Sequence, residues 1–323
     1  MTESFFQNPQ QKTIDTEATP QTWIRRLVWK IAIATLLLMA VGSATRVMNA
    51  GLACPDWPLC YGQLVPTQQM NLQVFLEWFH RLDASLIGFS AIALCGLSWW
   101  WRQELPSWVP YAATVALASI IIQGILGALT VTQLLRFDIV TAHLAMALLC
   151  FCILIVIGAS LTPVTSNFTV PRTLGVSGLI AATLIYVQSL IGGLVASRWA
   201  LHQCFGNSQL CNVMNSHIIG VVPPTLAIAF LCWRAYRTPG LPKNLKILAI
   251  AAGSLVILQI LLGIATFSLH LQVEPLTVTH QVIGATLLGV LVAFTVLAFR
   301  QHGRGETSSS SFIPDPSSFS KNS

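Results

Sequence analysis

Four of the seven histidines stand in strongly apolar stretches of the sequence, where an ionisable side chain is costly and therefore a functional candidate. They are His80, His143, His217 and His280. Imidazole is the commonest metal ligand among protein side chains. For any one of these histidines the alternative is a buried residue whose hydrogen bonds are satisfied within the protein. The recurrence of four in similar settings favours ligands.

A carboxylate accompanies one of these histidines. Glu77 stands three residues before His80, on the same helix face, whereas Met214 occupies the matching position before His217. A carboxylate one turn from a metal ligand can accept protons or orient water, so Glu77 is the candidate catalytic residue. The alternative is an ion pair between Glu77 and Arg81 at i,i+4.

Two pairs of cysteines form a second candidate group. Five residues separate Cys54 from Cys60, and six separate Cys204 from Cys211. We predict a disulfide in each pair if both lie on an oxidising side of a membrane. Their spacing leaves open whether such a bridge is structural or redox-active. The other cysteines fall in apolar segments and are predicted to be small packing residues: Cys95, Cys150, Cys152 and Cys232.

Apolar segments long enough to cross a bilayer must position these residues. Hydrophobic residues make up 54% of the chain and charged residues 9%, and the mean hydropathy is +0.69. So little charge excludes a water-soluble domain. Stretches of about 20 apolar residues predict eight transmembrane helices. They cover residues 27–48, 76–101, 109–131, 138–160, 173–196, 214–236, 245–268 and 276–299.

The distribution of lysine and arginine predicts the orientation of these helices. Thirteen of the 17 lie on the side of the two termini, and Arg46, Arg136 and Arg198 lie on the other, with Arg81 inside the membrane. The positive-inside rule then places both termini in the cytoplasm. The cysteine loops and the four histidines, which begin even-numbered helices, lie towards the outer face. The net charge of +6 is therefore a topology signal and does not indicate a nucleic-acid partner.

The N-terminal segment favours a bacterial plasma membrane. It contains Glu3, Asp15 and Glu17 against Lys12, whereas an organelle transit peptide is rich in arginine and poor in acidic residues. Its polar composition predicts disorder, as does that of the C-terminal end.

An internal repeat predicts two similar halves. Gln123, Gly127 and His143 align with Gln259, Gly263 and His280, and Gln188 and Gly192 repeat the first two positions. We predict an all-α integral membrane protein of two tandem pseudo-symmetric four-helix bundles, residues 27–160 and 173–300. Residues 161–172 form the linker, and 1–26 and 301–323 form disordered cytoplasmic tails. The glycines are predicted to allow close helix packing, and the glutamines to hydrogen-bond between helices rather than to contact a ligand.

Paired imidazoles with apolar walls are typical of bis-histidine haem sites. The predicted pairs are His80 with His143 and His217 with His280. Zinc or copper would need further nitrogen, sulfur or oxygen ligands that neither pair supplies. Arg81 either binds a haem propionate or extends to the membrane interface.

Several motifs resemble the haem A synthase family. The main ones are GSATRVMNAGLACPDWPLCYGQLVP and EWFHRLDASLIG, and TAH, NSHIIG and VTHQVIG surround the later histidines. The resemblance covers about residues 27–300. It implies an enzyme that oxidises a methyl group of haem O to the formyl group of haem A for haem–copper terminal oxidases, with water as the oxygen source.

The same resemblance implies roles for individual residues. His217 and His280 would be the axial ligands of a haem b cofactor, and His80 and His143 would bind the iron of the substrate haem. Glu77 would be the essential carboxylate. Cys54 and Cys60 would take part in electron or haem delivery, whereas HQCFGNSQLC lacks the Pro-x-x-Pro-Leu pattern, so the roles of Cys204 and Cys211 stay open.

The expected partners are haem O, haem O synthase, a quinol or other electron donor, and membrane lipid; homo-oligomerisation stays open. Two other functions remain compatible with these residues. A dihaem b-type cytochrome would hold both haems permanently and would not need Glu77. A haem-handling assembly factor would bind haem without catalysis.

Overall fold

The computed structural model describes residues 19–163, 168–196, 209–269 and 273–310, without the side chains of 209–211 and 303–310. These residues form helices and connecting segments and contain no β-strand. The helices are α1 Pro20–Val47, α2 Leu72–Trp100, α3 Val109–Thr132, α4 Phe137–Ser160, α5 Arg172–Val195, α6 Gln209–Ile219, α7 Val222–Arg237, α8 Lys243–Ser268 and α9 Glu274–Ser310.

Eight of these segments are long and apolar enough to cross a membrane, as predicted. Large apolar side chains such as Phe89, Ile125 and Ile250 are exposed on their outer faces. Lipid would cover such side chains, since the membrane interior accepts apolar surface and helices with internally satisfied backbones. The chain is a multi-pass membrane protein.

The first and last helices of the chain extend beyond their predicted ends. α1 begins at Pro20 because Pro fits the first helical position and Thr19 Oγ1 accepts a hydrogen bond from the Thr22 N–H at 3.3 Å. α9 continues to Ser310, and its Gln301 is still buried. Residues 20–26 and 301–310, predicted as tail, are therefore helical.

The sixth span is interrupted, contrary to the single helix predicted for 214–236. α6 ends at Ile219 and α7 begins at Val222. Pro223 and Pro224 cannot donate to the carbonyls one turn earlier, and their rings clash with that turn. The helix is therefore interrupted two residues after His217.

The helices pack as two four-span rings. In the first, α1 contacts α2, α2 contacts α3, α3 contacts α4, and α4 returns to α1. In the second, α5, α7, α8 and α9 contact one another in the same circular order. The rings meet through α1, α4, α5 and α9, and α9 has the most buried span of the eight.

Arginines from both rings meet at the end of α4 that is far from His143. Arg300 Nη1 donates to the carbonyls of Ala159 and Thr162 at 2.9 and 2.6 Å, and Arg25 Nη1 donates to that of Leu161 at 3.5 Å. These carbonyls carry the negative end of the α4 dipole, so cations are favourable there. α1 and α9 are thereby tied to the same helix end.

Candidate functional site

Each of the four candidate histidines packs against a glycine of the preceding span. The Cε1 atom of the ring would lie only 2.8 Å from a Cβ added at Gly42 in the case of His80, or at Gly192 in the case of His217. The corresponding distance is 3.1 Å between His280 and Gly263 and 3.4 Å between His143 and Gly127. The glycines therefore leave the space that the imidazoles occupy, besides allowing the helices to approach.

Three of the histidines also contact a glutamine one turn from the glycine. Gln188 Nε2 lies 3.0 Å from His217 Nδ1, and it donates to the His217 carbonyl at 2.7 Å. Gln123 Nε2 and Gln259 Nε2 each lie 3.3 Å from the Nε2 of His143 and His280. The glutamines bridge helices, as predicted, but the groups they reach are the candidate ligands themselves.

His80 lacks this partner, because Leu38 stands four residues before Gly42. The Nδ1 atoms of His80, His143 and His280 are buried, and none has a hydrogen-bond partner among the described residues. A buried polar atom without a partner calls for a ligand or an ordered water.

The spacing of the C-terminal pair fits one haem iron between two imidazoles. The ring centroids of His217 and His280 lie 6.5 Å apart. Two metal–imidazole bonds of about 2 Å and two ring radii of about 1.2 Å give roughly 6.4 Å. His80 and His143, the predicted N-terminal pair, pack against Gly42 and Gly127 of the same helical ring. Within the described residues no three His, Cys, Asp or Glu side chains are grouped as a metal-ion site.

Glu77 is almost fully buried, with 4% of its surface exposed, and both of its carboxylate oxygens are engaged. Oε1 accepts a hydrogen bond from Arg81 Nη2 at 2.5 Å, and Oε2 accepts one from the Cys54 N–H at 2.8 Å. The i,i+4 ion pair is therefore present. Glu77 also connects the helix that carries His80 to the loop between α1 and α2.

Arg81 is occupied by the same loop. Its Nη1 donates to the carbonyls of Asp56 and Leu59, both at 2.6 Å, and its Nη2 contacts the Cys54 carbonyl at 3.4 Å. With the ion pair to Glu77, both terminal nitrogens of the Arg81 guanidinium therefore have partners within the protein. Trp78 adds a further bond from Nε1 to the Leu64 carbonyl at 2.7 Å.

The loop contains the predicted disulfide between Cys54 and Cys60, and both cysteines are buried. Asp56 folds the loop by accepting hydrogen bonds from the N–H groups of Gly62 and Tyr61 at 2.7 and 2.6 Å. The Gly62 N–H, followed by that of Tyr61, holds the pKa of Asp56 below its ordinary value. The loop is thus a folded cover on the first turns of α2.

The second cysteine pair lies outside the residues whose side chains are described, so the predicted bridge between Cys204 and Cys211 stays a prediction. Cys95, Cys150, Cys152 and Cys232 are free thiols in the spans, as predicted.

Comparison with known protein families shows to which family the chain belongs. A family model described as cytochrome oxidase assembly protein matches residues 25–292, most of the chain. The chain belongs to this family. The matched range includes all four candidate histidines and nearly all of both helical rings.

Curated relatives within this range carry a more specific name. The chain is 26% identical to a heme A synthase of Shewanella oneidensis, over 89% of this chain and 98% of that protein. It is 27% identical to a heme A synthase of Beijerinckia indica, over 82% and 90% of the two chains. A shorter match, 31% identical over 39% of this chain and 26% of the relative, is to a protoheme IX farnesyltransferase of Halobacterium salinarum.

Sequence reasoning missed two features of this member of the cytochrome oxidase assembly family. Arg46 entered only the topology count, yet its Nη2 donates to Gln281 Oε1 at 2.9 Å, beside His280. Gly42 was not recognised as equivalent to the three other glycines. Each of those has a glutamine four residues earlier, whereas Gly42 has Leu38 there. A search for glycines facing the start of each even-numbered span would have found it.

Proposed function

We propose that this chain is a haem A synthase, which oxidises a methyl group of haem O to the formyl group of haem A. The observation that carries the proposal is an asymmetry between two similar imidazole pairs. A buried carboxylate stands one turn before His80, whereas Met214 occupies the equivalent place before His217. Chemistry at one haem and electron transfer at the other account for this difference.

The substrate haem would be held by His80 and His143, and haem b by His217 and His280. Bound haem b would supply one-electron redox chemistry. Replacing two hydrogens of the methyl group by the oxygen of one water releases four electrons and four protons. These four electrons need an acceptor. An oxidised carrier such as a quinone fits this role, whereas a quinol already carries the electrons and could not take them up.

Glu77 would accept a proton from the water that attacks the oxidised carbon. Its place on the face of α2 that carries His80 supports this role, and Arg81 supplies the counter-charge at 2.5 Å. The disulfide loop lies over this region and limits the access of bulk water. The bonds of Arg81 to the loop carbonyls support such a fixed cover.

The location follows from the charges. We place the protein in a bacterial plasma membrane with both termini in the cytoplasm and the disulfide loop outside. Haem O would come from a haem O synthase. The short similarity to a protoheme IX farnesyltransferase is consistent with a shared haem substrate.

Expression in a host that makes haem O but lacks haem A tests the proposal. The purified protein should yield haem A or residual haem O together with haem b, as measured by mass spectrometry of extracted haems. A protein that contains haem b alone, in two equivalents, would be a dihaem cytochrome. Substoichiometric haem without conversion would instead indicate an assembly factor.

A further inference from the structure

Arg46 links the end of α1, in the first ring, to α9, in the second. Its half-buried guanidinium donates from Nη2 to Gln281 Oε1 at 2.9 Å. Gln281 is the neighbour of His280, whose ring lies 6.5 Å from that of His217 and nearly perpendicular to it. A cation from the N-terminal half therefore lies beside the imidazole pair of the C-terminal half.

Among the described side chains this cation has no carboxylate partner. In the described part of the chain the ion pairs are Glu77 with Arg81 and Arg136 with Asp138, and Arg46 Nε is buried without a hydrogen-bond partner. A charge removed from water without a partner is costly, so the arrangement calls for an anion.

The other acidic residues whose side chains are described do not supply that anion. Asp56, Asp83, Glu104 and Glu274 form no ion pair with Arg46. Among the described residues the counter-charge is therefore missing, which leaves it to a bound molecule.

We propose that Arg46 binds a propionate carboxylate of the haem held between His217 and His280, an assignment that rests on the proposed function. A haem carries two propionates on one edge. The Nε–H and an Nη–H of arginine form a fork that matches the two oxygens of a carboxylate. The fork of Arg46 has its Nε free, whereas Arg81, the propionate partner considered from the sequence, is engaged by Glu77 and by loop carbonyls.

A phosphate of a lipid headgroup could satisfy the same fork. The bond to Gln281 directs the guanidinium towards α9 and the imidazole pair, and Nε is buried. Both observations favour the haem carboxylate. The consequence is that the N-terminal half contributes a binding group to the haem of the C-terminal half.

The test compares haem b with its dimethyl ester, in which both carboxylates are blocked. Full-length protein carrying His80→Ala, which leaves His217 and His280 as the complete pair, is stripped of haem and titrated with each compound. Dissociation constants are taken from the low-spin absorption spectrum. The matched control is Arg136→Gln, which removes an arginine charge near the outer end of α4 without touching the haem pair.

Arg46→Gln should weaken haem b binding about tenfold or more, as expected for a charge-assisted hydrogen bond. The ester should bind the unsubstituted Arg46 protein more weakly by a similar factor, and Arg46→Gln should weaken it no further. The haem b dissociation constant of Arg46→Lys should fall between those of the protein with Arg46 and of Arg46→Gln. Arg136→Gln should leave the constant unchanged.

Equal weakening of haem b and ester by Arg46→Gln would overturn the assignment, since a structural role does not depend on the carboxylate. An effect that appears only in vesicles containing phosphatidylglycerol, with haem b and ester alike, would assign the fork to lipid phosphate instead. If the protein with Arg46 forms no low-spin haem b complex that His217→Ala abolishes, the proposed function itself fails, and this assignment fails with it.

Discussion

The four candidate histidines differ in the contacts that their ring nitrogens make with neighbouring side chains. A hydrogen bond to one imidazole nitrogen fixes the tautomer and orients the other nitrogen, and its loss commonly costs 10- to 100-fold in metal affinity. Gln188 Nε2 lies 3.0 Å from His217 Nδ1, whereas Leu38 occupies the matching position for His80. We expect the less constrained His80 to suit a haem that must be released as product.

Gln188→Leu should therefore weaken or alter the bound haem b, because it removes the bond to Nδ1 of His217 while keeping similar volume. The electron paramagnetic resonance signal of the ferric low-spin haem measures the change in imidazole orientation. Gln123→Leu is the matched control in the other half and should leave that signal unchanged. An unaltered signal in Gln188→Leu would show that this bond does not position the ligand.

Gly42→Ala should sharply lower the conversion of haem O, because a Cβ would lie 2.8 Å from Cε1 of His80 and displace the ring. Gly127→Ala places its Cβ 3.4 Å from His143, an ordinary contact, and should retain most activity. The haem A content of both purified proteins gives the comparison. Equal activity of the two variants would place the substrate haem away from His80.

Glu77→Gln should lower the rate of haem A formation about 10²–10⁴-fold, the usual contribution of general acid–base catalysis, while haem b is retained. Arg81→Lys keeps the charge next to Glu77 but loses the bonds that the guanidinium fork makes with the loop. It should reduce activity far less. If the two variants lose activity equally, Glu77 serves to hold the loop with Arg81 and the catalytic group lies elsewhere.

At the scale of elements, the α1–α2 loop behaves as one unit with the start of α2. Its disulfide, the Asp56 turn and the bonds to Glu77, Arg81 and Trp78 all stabilise the same cover. Because the carboxylate beside His80 accepts the N–H of Cys54, a change in the loop reaches the candidate substrate site directly.

Acid should loosen this loop through Asp56. Hydrogen bonds from Gly62 and Tyr61 lower the pKa of the folded-state carboxyl below 3.8, so the stabilisation is complete above that pH and is lost as the pH falls through the lowered value. Reduction of the Cys54–Cys60 bridge by a water-soluble phosphine should accelerate in that range. In the Asp56→Asn variant the bridge should be reduced faster already at neutral pH, and acid should accelerate its reduction less. Identical pH profiles would contradict the prediction.

At the scale of the whole molecule, the two rings share α1, α4, α5 and α9 as their interface. The interface is polar at both ends of the membrane span, with Arg25 and Arg300 on the α4 end and Arg46 with Gln281 near the imidazoles. Polar contacts thus join the rings that carry the two candidate haem sites near both ends.

The orientation can be tested with exposed cysteines. Leu64 in the α1–α2 loop is 81% exposed and Tyr236 at the end of α7 is 89% exposed. With both termini in the cytoplasm, Leu64→Cys should react with a membrane-impermeant thiol reagent in intact cells, and Tyr236→Cys only after lysis. The parent protein supplies the background, since Cys54 and Cys60 are buried and bonded. The reverse pattern would invert the topology.

Local properties of the sequence were sufficient to predict the eight spans, the Cys54–Cys60 bridge and the four histidines with Glu77 as site candidates. Apolar length, short cysteine spacing and ionisable residues in apolar runs are each visible within one or two dozen residues. The break of the sixth span was equally local, at Pro223 and Pro224, and could have been predicted.

Contacts between distant segments were decided only by the tertiary structure. The bond from Arg46 to Gln281 joins residues 235 positions apart, and the imidazoles meet glycines on other helices. Arg81 is saturated by loop carbonyls whose direction depends on how the loop folds. Hydropathy and spacing indicate which residues lie at the same depth in the membrane. Which side chains meet there depends on how the helices rotate and pack, and that is a property of the whole molecule.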